Sequence, residues 1–166
     1  MSGEFFYNLA VEEGARGNLS TAINYMYAAI ERESENPLFY FELGNMYLAS
    51  RHYSIAIKNY YQALSINPSY EAVYYNLGYV HTDLGEHEKA IEFFSQAINI
   101  KPDLADAYLS RSINYRIIAN FQAAIDDVDT GEKLALAQSN LSSAKKAQGL
   151  KDDIFFSKIR YELNNY

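Results

Sequence analysis

The hydrophobic and polar positions of this chain follow a helical period. Between residues 71 and 104, apolar side chains recur every three or four positions, first from Tyr74 to His81 and then from Ala90 to Ile98. Gly85 interrupts the pattern between these two runs, and Pro102 ends the second. This arrangement predicts a helix, a tight turn and a second helix antiparallel to the first.

The same landmarks return 34 residues earlier in the chain. They are Tyr40, Leu43, Gly44, Tyr47, Ala56, Tyr60, Ala63 and Pro68. A fixed period of this size predicts a stacked array of repeats rather than one closed globule. Division at this period predicts four units, residues 3–36, 37–70, 71–104 and 105–138, followed by a tail over residues 139–166.

Three positions of each predicted unit, the eighth, the twentieth and the twenty-seventh, hold small residues. They are Ala10, Gly44, Gly78 and Ser112; Ala22, Ala56, Ala90 and Ala124; and Ala29, Ala63, Ala97 and Gly131. We expect the paired helices to approach most closely at these positions. The fourth unit departs most from the pattern, with Arg111 in place of the leucine and Leu136 in place of the closing proline, as is common in a terminal repeat.

This pattern resembles the tetratricopeptide repeat (TPR) family over about residues 3–138. The second and third units match the family consensus almost throughout, and the first and fourth match it in part. The resemblance implies an all-α fold, a right-handed superhelical array of antiparallel helix pairs known as a TPR α-solenoid. It also implies that residues 139–166 form a C-terminal capping helix.

The tail has a helical pattern of its own, with Ser139 or Asn140 as the candidate N-cap. Gly149 costs about 1 kcal/mol relative to alanine inside a helix, so a break or a kink there is compatible with the sequence. An open array leaves an apolar face on its last repeat, and a cover with a polar exterior is needed there. Capping is therefore the expected role of the tail, and regulation by folding back into a binding groove is the alternative.

Composition narrows the classes of partner. The net charge of −7 argues against nucleic acid and against anionic membrane surfaces, since both select a basic face. The absence of cysteine excludes a disulfide framework and a thiolate metal site. No apolar stretch approaches the roughly 20 residues of a membrane-spanning helix, and the N-terminus lacks the features of a signal peptide. We therefore expect a cytoplasmic protein without membrane insertion.

No constellation in the sequence predicts catalysis. His81 and His87 occupy positions that hold aromatic residues in the second and fourth units, so packing is their expected role. No histidine has a second histidine or a carboxylate four residues later, as a helical metal pair requires. There is neither a glycine-rich phosphate loop nor a nucleophile–base arrangement. The sequence thus predicts no enzyme activity, no cofactor and no metal site.

The resemblance implies that the first helix of each pair lines a concave groove. The residues expected in this peptide-binding groove are Tyr7, Asn8, Leu38, Phe41, Asn45, Tyr75, Asn76, Tyr79, Leu109 and Arg116. An aromatic, apolar lining with few charges suits a helix or an extended segment that carries apolar anchors. For Tyr75 and Tyr79, packing against the neighbouring repeat is the alternative.

Chaperone adaptors of the TPR family hold acidic peptides with a carboxylate clamp of lysine, arginine and asparagine. The five clamp positions hold Tyr7, Val11, Glu42, Ala72 and Asn76 in one alignment of this chain, and Phe41, Asn45, Asn76, Asp106 and Ser110 in the other. Only asparagines are retained, and the cations that would neutralise a carboxylate are missing. The sequence therefore predicts no carboxylate clamp. Four acidic residues near the expected rim, Glu4, Glu42, Asp83 and Asp106, instead predict tolerance for a basic flank on the ligand.

These observations favour a non-enzymatic protein–protein interaction module, an adaptor, scaffold or chaperone-like protein that binds a peptide segment of a partner. That hypothesis predicts a monomer with Phe41, Tyr75 and Tyr79 exposed. The alternative is a structural scaffold that self-associates into a homo-oligomer through its end repeats or its tail. That hypothesis predicts oligomers whose population depends on concentration.

Overall fold

The computed structural model describes residues 1–165, and over this range the chain forms nine α-helices and no strands. They are α1 (Gly3–Ala15), α2 (Leu19–Arg32), α3 (Pro37–Ala49), α4 (Tyr53–Ile66), α5 (Glu71–Asp83), α6 (His87–Ile100), α7 (Ala105–Ile117), α8 (Phe121–Ala137) and α9 (Leu141–Asn164). The predicted all-α fold is confirmed. Each predicted 34-residue unit contains two consecutive helices, and the exact unit boundaries stay a prediction.

The chain divides into two compact units, the first being Met1–Val73 and the second beginning at Tyr74. In the first unit α1 packs on α2, α3 packs on α4, and α2 also contacts α3. In the second unit α6 packs on α7 and α7 packs on α8, while α9 lies against both α7 and α8. Antiparallel pairing of consecutive helices is therefore the common element of both units.

Short polar side chains set where several helices begin. The Asn36 side chain accepts a hydrogen bond from the Leu38 backbone N–H at 3.1 Å, and Pro37 opens α3. A proline is well tolerated there because the first N–H groups of a helix have no intrahelical acceptor. Of the two N-cap candidates for α9, the structure selects Asn140, whose side chain accepts from the Ser143 N–H at 3.1 Å.

The turn inside each helix pair places one residue in the left-handed region of backbone space. These residues are Gly17, Arg51, Gly85 and Ala119, with φ of 83°, 58°, 74° and 59°. Glycine adopts this conformation without steric cost, whereas a residue with a Cβ loses roughly 1–2 kcal/mol. Arg51 and Ala119 therefore hold strained turns that the repeat geometry imposes.

The Ala119→Gly variant is expected to raise the free energy of unfolding by about 1 kcal/mol, because it removes the Cβ strain of this turn. Urea unfolding followed by circular dichroism measures the change. The matched control is Ala123→Gly, within α8, which is expected to cost about 1 kcal/mol. An unchanged unfolding midpoint for Ala119→Gly would show that the turn relaxes without strain.

The small residue at the eighth position of a repeat has the predicted physical role. A Cβ built on Gly44 would lie 2.5 Å from the Tyr60 ring, and one built on Gly78 would lie 2.8 Å from the Phe94 ring. Tyr60 and Phe94 are fully or almost fully buried. Tyr60 of α4 and Phe94 of α6 thus pack directly on the backbones of α3 and α5.

Arg111 replaces the leucine of the other units and is accommodated by an ion pair. Its Nε and Nη2 donate to the two carboxylate oxygens of Asp127, both at 2.7 Å, and its Nη1 donates to Ser95 Oγ at 2.8 Å. Burial by itself lowers the pKa of Arg111, but the hydrogen bonds and charge of Asp127 outweigh burial and raise this pKa. A charged pair therefore joins α7 to α8 at the position where the other units have leucine.

The last two helices depart from the repeat length. α8 has 17 residues, whereas α4 and α6 have 14, because Leu136 stands where proline closes the second and third units. α9 then runs for 24 residues without interruption, so the helix does not break at Gly149. Burial of Ala147 and Leu150 on either side of the glycine holds the helix together.

The outer side of α9 differs from the polar exterior expected of a cap. Its inner side is buried through Ser143, Ala147, Leu150 and Ile154. Its C-terminal half nevertheless exposes large apolar side chains, which are Phe155, Phe156, Ile159, Tyr161 and Leu163. By helical register Phe156 and Leu163 lie opposite the buried side, whereas the Tyr161 ring packs on Phe121 of α8. The tail contacts α7 and α8, and its outer surface carries these apolar side chains where the sequence predicts a polar surface.

Candidate functional site

Aromatic side chains form a partly open surface on α1, α3 and the segment before α5. The Tyr7 ring stacks on the Phe39 ring with centroids 5.5 Å apart. The Phe41 ring lies 5.0 Å from the Tyr70 ring and 6.2 Å from the Tyr60 ring. Tyr7, Phe41 and Tyr70 are each only partly buried, so their outer edges remain accessible. We call these three residues the first-unit aromatic surface.

The Glu42 carboxylate supplies negative charge to this surface. The pKa of Tyr7 is raised, first by burial and then by the charge of Glu42. The pKa of Tyr70 is likewise raised by burial and then by Glu42, with smaller effects from Glu71 and Tyr7. One carboxylate therefore acts on both phenols, which are neutral at physiological pH. A carboxylate beside aromatic rings favours a cationic group.

The other predicted groove residues of the first unit are Asn8, Leu38 and Asn45, and only Asn8 is exposed. Asn45 Oδ1 accepts from the Tyr60 hydroxyl at 2.8 Å, and Asn45 Nδ2 donates to Glu42 Oε2 at 3.2 Å. Asn45 thus orients Glu42. Leu38 packs against the core of the first unit, whereas Asn8 is exposed on α1.

Tyr75 and Tyr79 of α5 have different environments. The Tyr75 ring packs edge-on against Phe94 at 5.5 Å, its hydroxyl lies 3.4 Å from Ser110 Oγ, and burial raises its pKa. The Tyr79 side chain is 49 % exposed. Packing therefore accounts for Tyr75, while Tyr79 is the accessible member of the pair. Asn76, between them, is half-buried.

The predicted groove residues of α7 are not open. Leu109 is 0 % exposed and lies in the core beside Gly131, so its assignment to a groove is wrong. Arg116 Nη1 donates to Ser157 Oγ of α9 at 3.1 Å, and Arg116 Nε is buried without an acceptor among the described residues. The helical tail covers this part of α7, where the last repeat of an open array would otherwise expose an apolar face.

Tyr70 is the site residue that the groove prediction missed. It occupies the last position of its predicted unit, where Asn36 and Leu104 stand in two of the other units. The sign of this site in the sequence was an aromatic residue at a position that connects two repeats. Its contact with Phe41 and its response to Glu42 depend on tertiary structure.

The histidines of α5 and α6 each contact neighbouring side chains. His81 stacks on Phe93 at 5.0 Å with its Nδ1 2.6 Å from Glu86 Oε2, and His87 Nδ1 lies 2.9 Å from Asn114 Oδ1. Within the described part of the chain, no group of three or more His, Cys, Asp or Glu residues is arranged to hold a metal ion. None of the helices between residues 1 and 165 combines the length and the apolar character needed to cross a bilayer.

Comparison with protein families identifies two matching segments. A family described as "Tetratricopeptide repeat" matches residues 72–104, and one described as "TPR repeat" matches residues 52–85. No curated protein matches the chain.

Solved structures share the fold. A crystal structure of MamA is 25 % identical with a TM-score of 0.77, covering 83 % of this chain and 81 % of that chain. The first TPR of Spaghetti (RPAP3), bound to the HSP90 peptide SRMEEVD, is 16 % identical with a TM-score of 0.68, covering 71 % and 94 %. A chain of the APC/C hetero-tetramer Cut9–Hcn1 is 18 % identical with a TM-score of 0.74, covering 90 % and 30 %.

Proposed function

The chain is a tetratricopeptide repeat protein, and we propose that it binds a partner-protein segment that carries an apolar anchor next to a lysine or arginine. Protein–protein interaction is the function class that the TPR fold supports. In this proposal the protein is a non-enzymatic, cofactor-free adaptor or scaffold of the cytoplasm. Its principal contact is the first-unit aromatic surface.

The observation that carries the proposal is the position of Glu42 among Tyr7, Phe41 and Tyr70. Partly exposed aromatic rings offer a large contact area for an apolar side chain, and aromatic residues are enriched among binding hot spots. The carboxylate beside them favours a neighbouring cation by charge and by hydrogen bonding. The hydrogen bond from Asn45 orients this carboxylate, so less ordering is required when a ligand binds.

The RPAP3 structure provides a contrast in charge. That TPR is bound to SRMEEVD, a peptide with adjacent glutamates and a terminal aspartate. The present chain lacks the lysine and arginine of a carboxylate clamp and has Glu42 at one of the clamp positions. We therefore propose a ligand of opposite charge.

Selection from a random peptide library displayed on phage tests this function. Peptides selected by the wild type are expected to combine an apolar residue with a nearby lysine or arginine. For a selected peptide, Glu42→Gln and Phe41→Ala are each expected to weaken binding about tenfold in fluorescence anisotropy, because each removes one contact of about 1.4 kcal/mol. Added salt is expected to weaken the wild type more than Glu42→Gln, since screening acts on the charge that the variant lacks.

Two controls make the result specific. Glu31→Gln removes an exposed carboxylate on α2, and Tyr61→Ala removes a 51 % exposed aromatic ring on α4. Both should bind like the wild type, and circular dichroism should show that all variants remain helical. Selection of acidic peptides, or equal binding by Glu42→Gln, Phe41→Ala and the wild type, would contradict the proposal.

A further inference from the structure

The outer side of α9 carries a stripe of exposed residues spaced three or four apart. They are Gly149, Asp152, Phe156, Arg160 and Leu163, and we call them the outer stripe. This spacing places all five on one side of a helix. Phe156 is 64 % exposed and Leu163 is 76 % exposed. Large apolar side chains that are exposed next to charged ones on the outer side of a helix are typical of an interaction surface.

The outer stripe is symmetric about Phe156. Asp152 and Arg160 lie equally far on either side of it, and so do Gly149 and Leu163. The oppositely charged Asp152 and Arg160 therefore occupy mirrored positions, and so do the small Gly149 and the large Leu163. An antiparallel pair of identical helices brings mirrored positions face to face. The stripe is thus complementary to itself.

We infer that two copies of this chain associate through their α9 helices, antiparallel and centred on Phe156. In this arrangement Asp152 faces the partner's Arg160, Leu163 faces the partner's Gly149, and the two Phe156 rings meet. A Cβ built on Gly149 would have no heavy atom within 4 Å, so space for the leucine is available. Neither Asp152 nor Arg160 forms an ion pair among residues 1–165.

Self-complementary charge identifies a second copy as the occupant. A partner of uniform charge would oppose either the aspartate or the arginine, whereas the antiparallel copy satisfies both. The paired stretch, residues 149–163, spans roughly 22 Å of helix. A contact of this length is smaller than a standard protein–protein interface, so the dimer is weak and depends on concentration. This inference goes beyond the proposed peptide binding and uses different residues.

Sedimentation velocity of the full chain between roughly 5 and 500 µM tests the association, because a small interface dissociates in this range. The wild type is expected to shift from monomer towards dimer as the concentration rises. Leu163→Asp should weaken dimerisation at least about tenfold, since it places two charges in the seam. Leu141→Asp is the matched control, because Leu141 lies on α9 outside the stripe and is equally exposed at 76 %.

Exchange of the charges tests the register. Asp152→Arg and Arg160→Asp should each weaken the dimer about threefold or more, because each places like charges face to face. The two substitutions together should restore the wild-type dissociation constant to within about twofold, because the opposite charges then face each other again. Such a rescue is not expected of residues that act only within one copy.

Three outcomes would overturn the inference. The wild type could remain a monomer at every concentration, or Leu163→Asp could leave the dimer unchanged. The double charge exchange could also dimerise no more tightly than either single exchange. Peptide binding by the first unit is measured separately in the Leu163→Asp variant and should match the wild type. Failure of the dimer therefore leaves the proposed function standing, and failure of peptide binding leaves the dimer standing.

Discussion

Replacement of Arg111 by methionine is expected to lower the free energy of unfolding by about 3–5 kcal/mol. The Arg111 and Asp127 side chains are only 17 % and 8 % exposed, and two hydrogen bonds of 2.7 Å join them. Methionine fills much of the space but leaves the aspartate with an uncompensated charge in a poorly hydrated site. Urea unfolding followed by circular dichroism measures the loss.

A double variant separates the charge from the packing. Arg111→Met together with Asp127→Leu should recover most of the lost stability, since apolar replacement of a whole buried pair is often nearly neutral. A loss below about 1 kcal/mol for Arg111→Met alone would show that water already compensates the aspartate.

The Tyr60→Ala variant is expected to lower the free energy of unfolding by about 3–5 kcal/mol. Tyr60 is 0 % exposed and its ring packs directly on the backbone at Gly44. Its hydroxyl also donates to Asn45 Oδ1 at 2.8 Å. Truncation leaves a cavity that cannot collapse, because Gly44 has no side chain to fill it.

The neighbouring tyrosine is the matched control for this prediction. Tyr61 is 51 % exposed, so Tyr61→Ala should change the free energy of unfolding by no more than about 0.5 kcal/mol. Tyr60→Phe keeps the ring and should cost about 1 kcal/mol for the lost hydrogen bond. Equal losses for Tyr60→Ala and Tyr61→Ala in urea unfolding would contradict the close approach of α4 to Gly44.

The last helix covers two residues of α7 that the resemblance places near a ligand. α9 contacts α7 through two polar links, Ser143 Oγ to Asp106 Oδ1 at 2.6 Å and Arg116 Nη1 to Ser157 Oγ at 3.1 Å. Asp106 and Arg116 are positions at which the TPR resemblance predicts contact with a ligand. Because the chain's own last helix occupies them, the first-unit aromatic surface becomes the better candidate for binding.

Local patterns in the sequence were sufficient to predict the helices. The 34-residue period, the small residues at closely packed positions and the candidate cap at Ser139 or Asn140 each depend on interactions within or between adjacent helices. Such interactions recur at the same interval along the chain, so the periodicity of the sequence predicts them. The turn at Arg51 and Ala119 follows the same period, even though the glycine that usually marks it is missing.

The sequence by itself therefore determined the all-α fold, the helix pairs and the aromatic character of the candidate surface. Tertiary structure decided which aromatic residues are packed and which are accessible, as Tyr75 and Tyr79 illustrate. It also decided the burial of Leu109, the pairing of Arg111 with Asp127 and the exposed outer side of α9. The physical reason is that helical periodicity specifies the face on which a residue lies, whereas its exposure depends on which distant element covers that face.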